Sequence, residues 1–154
     1  MKREEYDAGT CSVGHALDAI GDRWTMLVIR EAFFGVRRFE QMQRNLGIAR
    51  NILTDRLQKL VGHGILERRR YQERPERFEY RLTRKGLDLY PALVTLMSWG
   101  DAYMSDEGAP ITLVHKACGH DADPVLACAH CGEALDARDV RVEPEPGARR
   151  IDAA

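Results

Sequence analysis

The chain has 154 residues, 44% hydrophobic and 31% charged, enough for one packed domain of ordinary size or a small domain with an appendage. It contains no run of about 18 apolar residues that would span a membrane, and its polar start, MKREEYDAGT, has no hydrophobic signal core, so a cytoplasmic protein is expected. The net charge of -1 conceals a basic centre, with fourteen Lys/Arg against six Asp/Glu over residues 37–86 (net +8), and an acidic end, five against nine over 107–154 (net -4). Contact with a polyanion therefore belongs to the centre.

Residues 1–10 have little apolar content and are expected to be flexible. Val13, Ala16, Leu17 and Ile20 then share one helical face, with Ser12 placed to cap the helix. Gly21 and Asp22 interrupt the pattern, and Asp22 is placed to cap the next helix. This second helix, over 23–34, carries Trp24, Leu27, Val28, Phe33 and Phe34, apolar over most of its circumference, which predicts a central core helix closed by Gly35. Phe39, Met42 and Leu46 give a short helix over 38–46, and Gly47 makes a turn. The helix over 49–62 places Leu53, Leu57, Leu60 and Val61 on one face, with Asn51, Asp55, Gln58 and Lys59 opposite. Two short helices joined through glycine, the second polar outside, fit a helix-turn-helix, although a plain pair of surface helices has the same periodicity.

A strand is expected over 65–71, a polar turn over 72–77 containing Pro75, and a second strand over 78–82 in which Phe78, Tyr80 and Leu82 alternate with Glu79 and Arg81. Arg68, Arg69, Arg70, Arg74, Arg77 and Arg81 decorate this hairpin. They suit a sugar-phosphate backbone, or else they pair with Glu67, Glu73, Glu76 and Glu79. Thr83 is placed to cap a helix over 84–104, in which Pro91 demands a kink or a restart near Tyr90. Leu89, Leu93, Leu96, Met97, Trp99 and Tyr103 are more apolar surface than a peripheral helix needs. They predict a dimer contact, or packing on the first two helices.

Beyond a linker at 107–110, His115 and Cys118 are separated by two residues and followed by glycine, and Cys128 and Cys131 repeat that spacing. In a reducing compartment such pairs read as metal ligands rather than disulfides. A small zinc-ribbon-like module is expected over 111–142, with structural zinc held by His115, Cys118, Cys128 and Cys131. His120 or His130 can replace His115, a redox dithiol at Cys128 and Cys131 competes, and a metal-free relic is the plainest case. Residues 143–154, with Pro144, Pro146 and Gly147, are expected to be disordered.

Residues 11–104 resemble the HxlR family of bacterial transcriptional regulators, relatives of the MarR group. The resemblance rests on the Cys11 start, ALDAIGDRWTMLVIRE, the Arg37–Phe39 triplet, LTDRLQKL and the wing ending in YRLTRKG. It implies a mainly α winged helix-turn-helix domain with a small β-hairpin wing, spanning about 11–106. It further implies a homodimer, with its first and last helices at the interface, that represses or activates transcription from a pseudo-palindromic double-stranded operator. Some relatives use a cysteine at the Cys11 position to sense oxidants or electrophiles. Cys11 is accordingly the sensor candidate for an oxidant or small-molecule effector, its place before a helix N-terminus favouring a thiolate. Ser12 stands where relatives often have proline, and Gly14-His15 is a weak helical pair.

With helix 49–62 in a major groove, Arg50, Asn51 and Thr54 are the candidates for base edges. Arg37, Arg38, Arg56, Arg74 and Arg77 are the candidates for phosphates. Asp55 either accepts from a cytosine amino group or pairs with a neighbouring arginine. The alternatives are a cysteine- or metal-dependent redox enzyme and a zinc-containing interaction adaptor. An enzyme would need an open metal site or a nucleophile beside a base, and only His15 lies near Cys11 in sequence, so none is expected.

Overall fold

Helices α2 (Arg23–Phe33) and α4 (Arg50–Gly62) supply the centre of the core, with Val28, Ile29, Leu53, Leu57 and Leu60 at 1% exposure or less. Each such side chain contributes roughly 1.5–3 kcal/mol on burial. Met42 of α3 (Phe39–Leu46), together with Ile48, Ile65 and Leu66, completes it. The structure, a computed structural model, describes residues 11–143 and 145–147; the expected flexible start and most of the expected disordered tail lie outside them. The chain divides into two compact units, Met1–Leu93 and Val94–Ala154. The division falls inside the last helix, not in the linker at 107–110.

In the first unit, α1 (Ser12–Ile20) begins one residue earlier than its apolar pattern suggests. Cys11, not Ser12, is therefore the N-cap, with the Gly14 amide donating to Cys11 Sγ at 3.4 Å. The apolar stripe of α1 meets the core only at its end, where Ile20 packs against it with Ala19; Val13 and Leu17 are 67% and 57% exposed, and only Gly14 of this helix is buried. Asp22 caps α2 as expected, accepting from the Thr25 amide at 3.0 Å and from the Thr25 hydroxyl.

Inside the core, the buried carboxylate of Glu31 accepts from Asn45 Nδ2 at 2.7 Å and from Arg30 at 2.8 Å. These bonds replace the water it loses and tie α3 to α2. Gly47, at φ 60, makes the left-handed turn into α4 without the strain a side chain would bring.

The wing is an antiparallel pair, β1 (Leu66–Glu73) and β2 (Glu76–Leu82), running from Leu66↔Leu82 to Glu73↔Glu76. The expected polar turn shrinks to Arg74 and Pro75, because its flanking residues join the ladder. Pro75, which has no amide hydrogen to donate, stands where none is needed. The Tyr80 amide donates to the Arg37 carbonyl at 2.8 Å, tying the wing to the segment that leads into α3.

Thr83 caps α5 (Arg84–Leu87), accepting from the Gly86 amide at 3.1 Å, and its hydroxyl donates to the Gly64 carbonyl at 2.6 Å. The expected long helix stops there and restarts as α6 (Tyr90–Tyr103), so that Pro91 sits in a first turn. In the second unit, the remainder of α6 leads into irregular chain with two isolated antiparallel bridges, Val114↔Asp121 and Ala127↔Ala134. Among the described residues after Val94, none is buried. Glu143 and residues 145–147 are exposed and irregular. No helix among the described residues is long and apolar enough to cross a membrane.

Candidate nucleic-acid interface

The apolar face of α4 is consumed by the core, so its opposite face is the one presented outward. Arg50, Asn51 and Thr54 line a groove there with Asp55 and Gln58. Thr54 lends its hydroxyl hydrogen to the Arg50 carbonyl at 2.9 Å, leaving its oxygen lone pairs and methyl for a partner.

A cleft of about 640 Å³ opens beside this groove, between α3, the start of α4 and the wing. Arg38, Arg44, Arg50, Arg68 and Arg77 line it, against only two glutamates, Glu40 and Glu76. Aromatic rings hold three of these arginines: Arg38 lies over Tyr71 at 4.7 Å, Arg50 over Phe39 at 4.8 Å and Arg68 over Phe78 at 3.5 Å. A guanidinium stacked on a ring keeps its N–H edge available and loses less rotamer freedom when it meets an anion. Arg44 was not expected from the sequence, and Arg68 was expected on the hairpin but not among its phosphate contacts. The signal for Arg68 was present in the hairpin register: Phe78 faces Arg70, which makes Arg68 its diagonal neighbour.

The basic residues divide into two groups. Arg69 pairs with Glu67 at 2.6 Å, Arg70 with Glu76 at 3.2 Å and Arg81 with Glu79 at 2.6 Å, so part of the hairpin is the self-neutralised kind. Among the described residues, Arg37, Arg38, Arg44, Arg50, Arg74 and Arg77 have no ion-pair partner. Their charge is left uncompensated on the side of α3, the start of α4 and the wing tip.

Arg56, expected among the phosphate candidates, is engaged within the fold. It donates through Nε to Asp22 Oδ1 at 2.8 Å and through Nη1 to Asp55, and its side chain is 26% exposed. The first of these ion pairs ties α4 to the start of α2, and Asp55 takes the arginine-paired option. Burial pushes the Asp22 carboxyl up, but the Thr25 hydroxyl and amide and the Arg56 guanidinium outweigh it. Its pKa lies below the ordinary 3.8.

Of the other candidates, Cys11 Sγ is half-buried and caps α1. The metal candidates come together as two pairs. His115 Nδ1 lies 3.3 Å from Cys118 Sγ. Backbone amides of Cys131 and His130, with the Cys131 side chain, hydrogen-bond Cys128 and hold its thiol below the usual range. Among the described residues, no three His, Cys, Asp or Glu side chains converge on one point.

A tri-helical core with a polar-faced second helix, a two-stranded wing and an arginine cleft between them defines a winged helix-turn-helix protein. Residues 19–108 match the HxlR-like helix-turn-helix family, and the chain belongs to it. It is 57% identical over 137 residues to an uncharacterized HTH-type transcriptional regulator of Mycobacterium tuberculosis, covering 88% of this chain and 87% of the relative. A match of that length in a chain of 154 residues takes in the segment that holds both cysteine-bearing pairs. The structure is similar to that of PA1607, with a TM-score of 0.80 and 39% identity over 89% of this chain and 96% of that one. It is also similar to the redox regulator HypR in its oxidized form, with a TM-score of 0.57 and 30% identity over 62% of this chain and 99% of that one.

Proposed function

We propose that the chain, a helix-turn-helix transcriptional regulator and not an enzyme, represses transcription as a homodimer on a pseudo-palindromic operator. The observation that carries this is the arginine cleft, where uncompensated, ring-stacked cations lie beside the outward polar face of α4. In this reading α4 enters the major groove with its N-terminal end leading. Arg50 and Asn51 meet base edges, while Arg37, Arg38, Arg74 and Arg77 meet phosphates. A dimer places two such helices on half-sites roughly 34–36 Å apart, one turn of duplex. The exposed apolar faces of α1, with Leu17, and of α6, with Trp99 and Tyr103, are the surfaces that a second copy would cover.

An oxidant or electrophile acting at Cys11 would release the operator. Two things support this: the sulfur accepts a helix N-terminal amide, where a covalent adduct would disturb the cap, and HypR is a redox regulator. A gel shift of the reduced full-length chain on DNA from upstream of its own gene, with unrelated duplex as competitor, tests the reading. A retarded band of two chains per duplex that survives competitor is expected. Binding that competitor abolishes equally well would overturn the operator reading, and binding untouched by complete alkylation of Cys11 would remove the sensor.

A further inference from the structure

The two cysteine-bearing loops of the second unit are built on one backbone plan. In the first, the Gly119 amide donates to the His115 carbonyl at 2.8 Å and the His115 amide to the His120 carbonyl at 2.9 Å. In the second, the Gly132 amide donates to the Cys128 carbonyl at 2.7 Å and the Cys128 amide to the Glu133 carbonyl at 2.8 Å. The rung beyond each repeats as well, Ala122 to Leu113 at 2.7 Å and Leu135 to Leu126 at 2.8 Å. The bridges Val114↔Asp121 and Ala127↔Ala134 occupy matching places, and Gly119 and Gly132 share a left-handed φ of 73 and 79. His115 therefore matches Cys128, and Cys118 matches Cys131. His120 matches Glu133 and His130 matches Ala117, so neither stands at a ligand position. His120 also spends its Nδ1 on the Cys118 carbonyl at 2.9 Å.

The energetics ask for a cross-link. Among the described residues after Val94 none is buried, so no apolar core holds two ordered loops in place. Chain segments of fewer than about 40 residues without such a core usually need a disulfide, a metal or oligomerisation. The two loops cannot both be closed by disulfides of their own, because the first contains one cysteine and the second two.

We propose that this unit binds one Zn2+ through His115, Cys118, Cys128 and Cys131. Three thiolates and an imidazole, with no carboxylate, are the donor set of a closed tetrahedral zinc site, and each two-residue spacing spans one edge of the tetrahedron. Each loop holds its own pair ready; because no three such side chains share one point among the described residues, binding includes the approach of one loop to the other. The ion takes the place of a core and is structural, with no position left for substrate. This proposal does not rest on the DNA reading, and either can fail alone.

Metal analysis of the full-length chain, purified under reducing conditions, is expected to find about one zinc per chain. Titrating the reduced, metal-stripped chain with Co2+ should give the visible bands of tetrahedral cobalt-thiolate, which Zn2+ then abolishes. The variants Cys118→Ser, Cys128→Ser and His115→Ala should lose the metal, while His120→Ala and His130→Ala should keep it. The cobalt titration uses the unaltered chain, so it decides even if a variant fails to fold. Absence of both zinc and cobalt bands, or a Cys128–Cys131 disulfide formed in preference to metal binding, overturns the site. Loss of metal in His120→Ala with retention in His115→Ala overturns the ligand set.

Discussion

Arg56 of α4 donates its Nε hydrogen to Asp22 Oδ1 at 2.8 Å, and Asp22 is at the same time the N-cap of α2. One carboxylate thus fixes both the start of the core helix and the position of the helix that carries the candidate base readers. Glu31 does the same for α3 through Asn45. The helix-turn-helix is held to α2 by two polar ties as well as by its apolar core.

Asp22→Asn keeps a capping oxygen but removes the charge facing Arg56. With both partners about a quarter exposed, the expected loss is about 0.5–1 kcal/mol. Because folding lowers the carboxyl's pKa, its contribution is complete above the unfolded value near 3.8 and fades as pH falls through the lower folded value. Urea melts should show a gap between variant and parent at neutral pH that closes well below 3.8. A gap of equal size in acid would mean that the charge is not what Arg56 uses.

Arg74→Ala and Arg77→Ala should weaken binding to every duplex alike, each removing two phosphate contacts per dimer and flattening the slope of log affinity against log salt by about 1.8. Arg70→Ala, whose guanidinium is already paired with Glu76, should change it less. Fluorescence anisotropy across a salt series measures both.

Base reading separates from structure at α4. Arg50→Ala or Asn51→Ala should relax preference for one base pair by about 1–3 kcal/mol while leaving the urea midpoint nearly unchanged. Arg56→Ala should do the reverse, lowering the midpoint and keeping the preference. Competition with singly substituted operators checks the contrast.

A methyl group at Gly86 would run into the Ile65 carbonyl, just before β1, and the Leu82 side chain at the end of β2. Gly86→Ala should therefore cost about 1–3 kcal/mol. Gly62→Ala has open space and helical backbone, and should stabilise by about 0.4–1 kcal/mol. Denaturation midpoints of opposite sign are the expected pair.

Trp99, 56% exposed on α6, should be covered by a second chain if that face is the dimer contact. Trp99→Asp would then place a charge in an apolar interface, and light scattering should find a monomer with weakened operator binding. An unchanged dimer would move the interface elsewhere.

Helix period, glycine turns and caps were legible along the chain because each depends on residues within a turn or two of one another. The helix expected over 49–62 is Arg50–Gly62, and the uncomfortable Pro91 duly marks a restart. The local misses have local causes: Cys11 caps where Ser12 was expected, and the wing turn is shorter because the ladder continues past its polar residues. The charge excess of 37–86 was equally visible, since charge adds up regardless of fold. What the amino-acid order could not decide was which cations stay available. Arg56 finds Asp22, Arg38 finds Tyr71 and Arg50 finds Phe39 across separations that only packing closes. Sequence alone determined that this chain builds a basic helix-turn-helix and hairpin. Tertiary structure decided which arginines hold the fold together and which face outward, because pairing and stacking act over a few ångströms of space, not over positions in a chain.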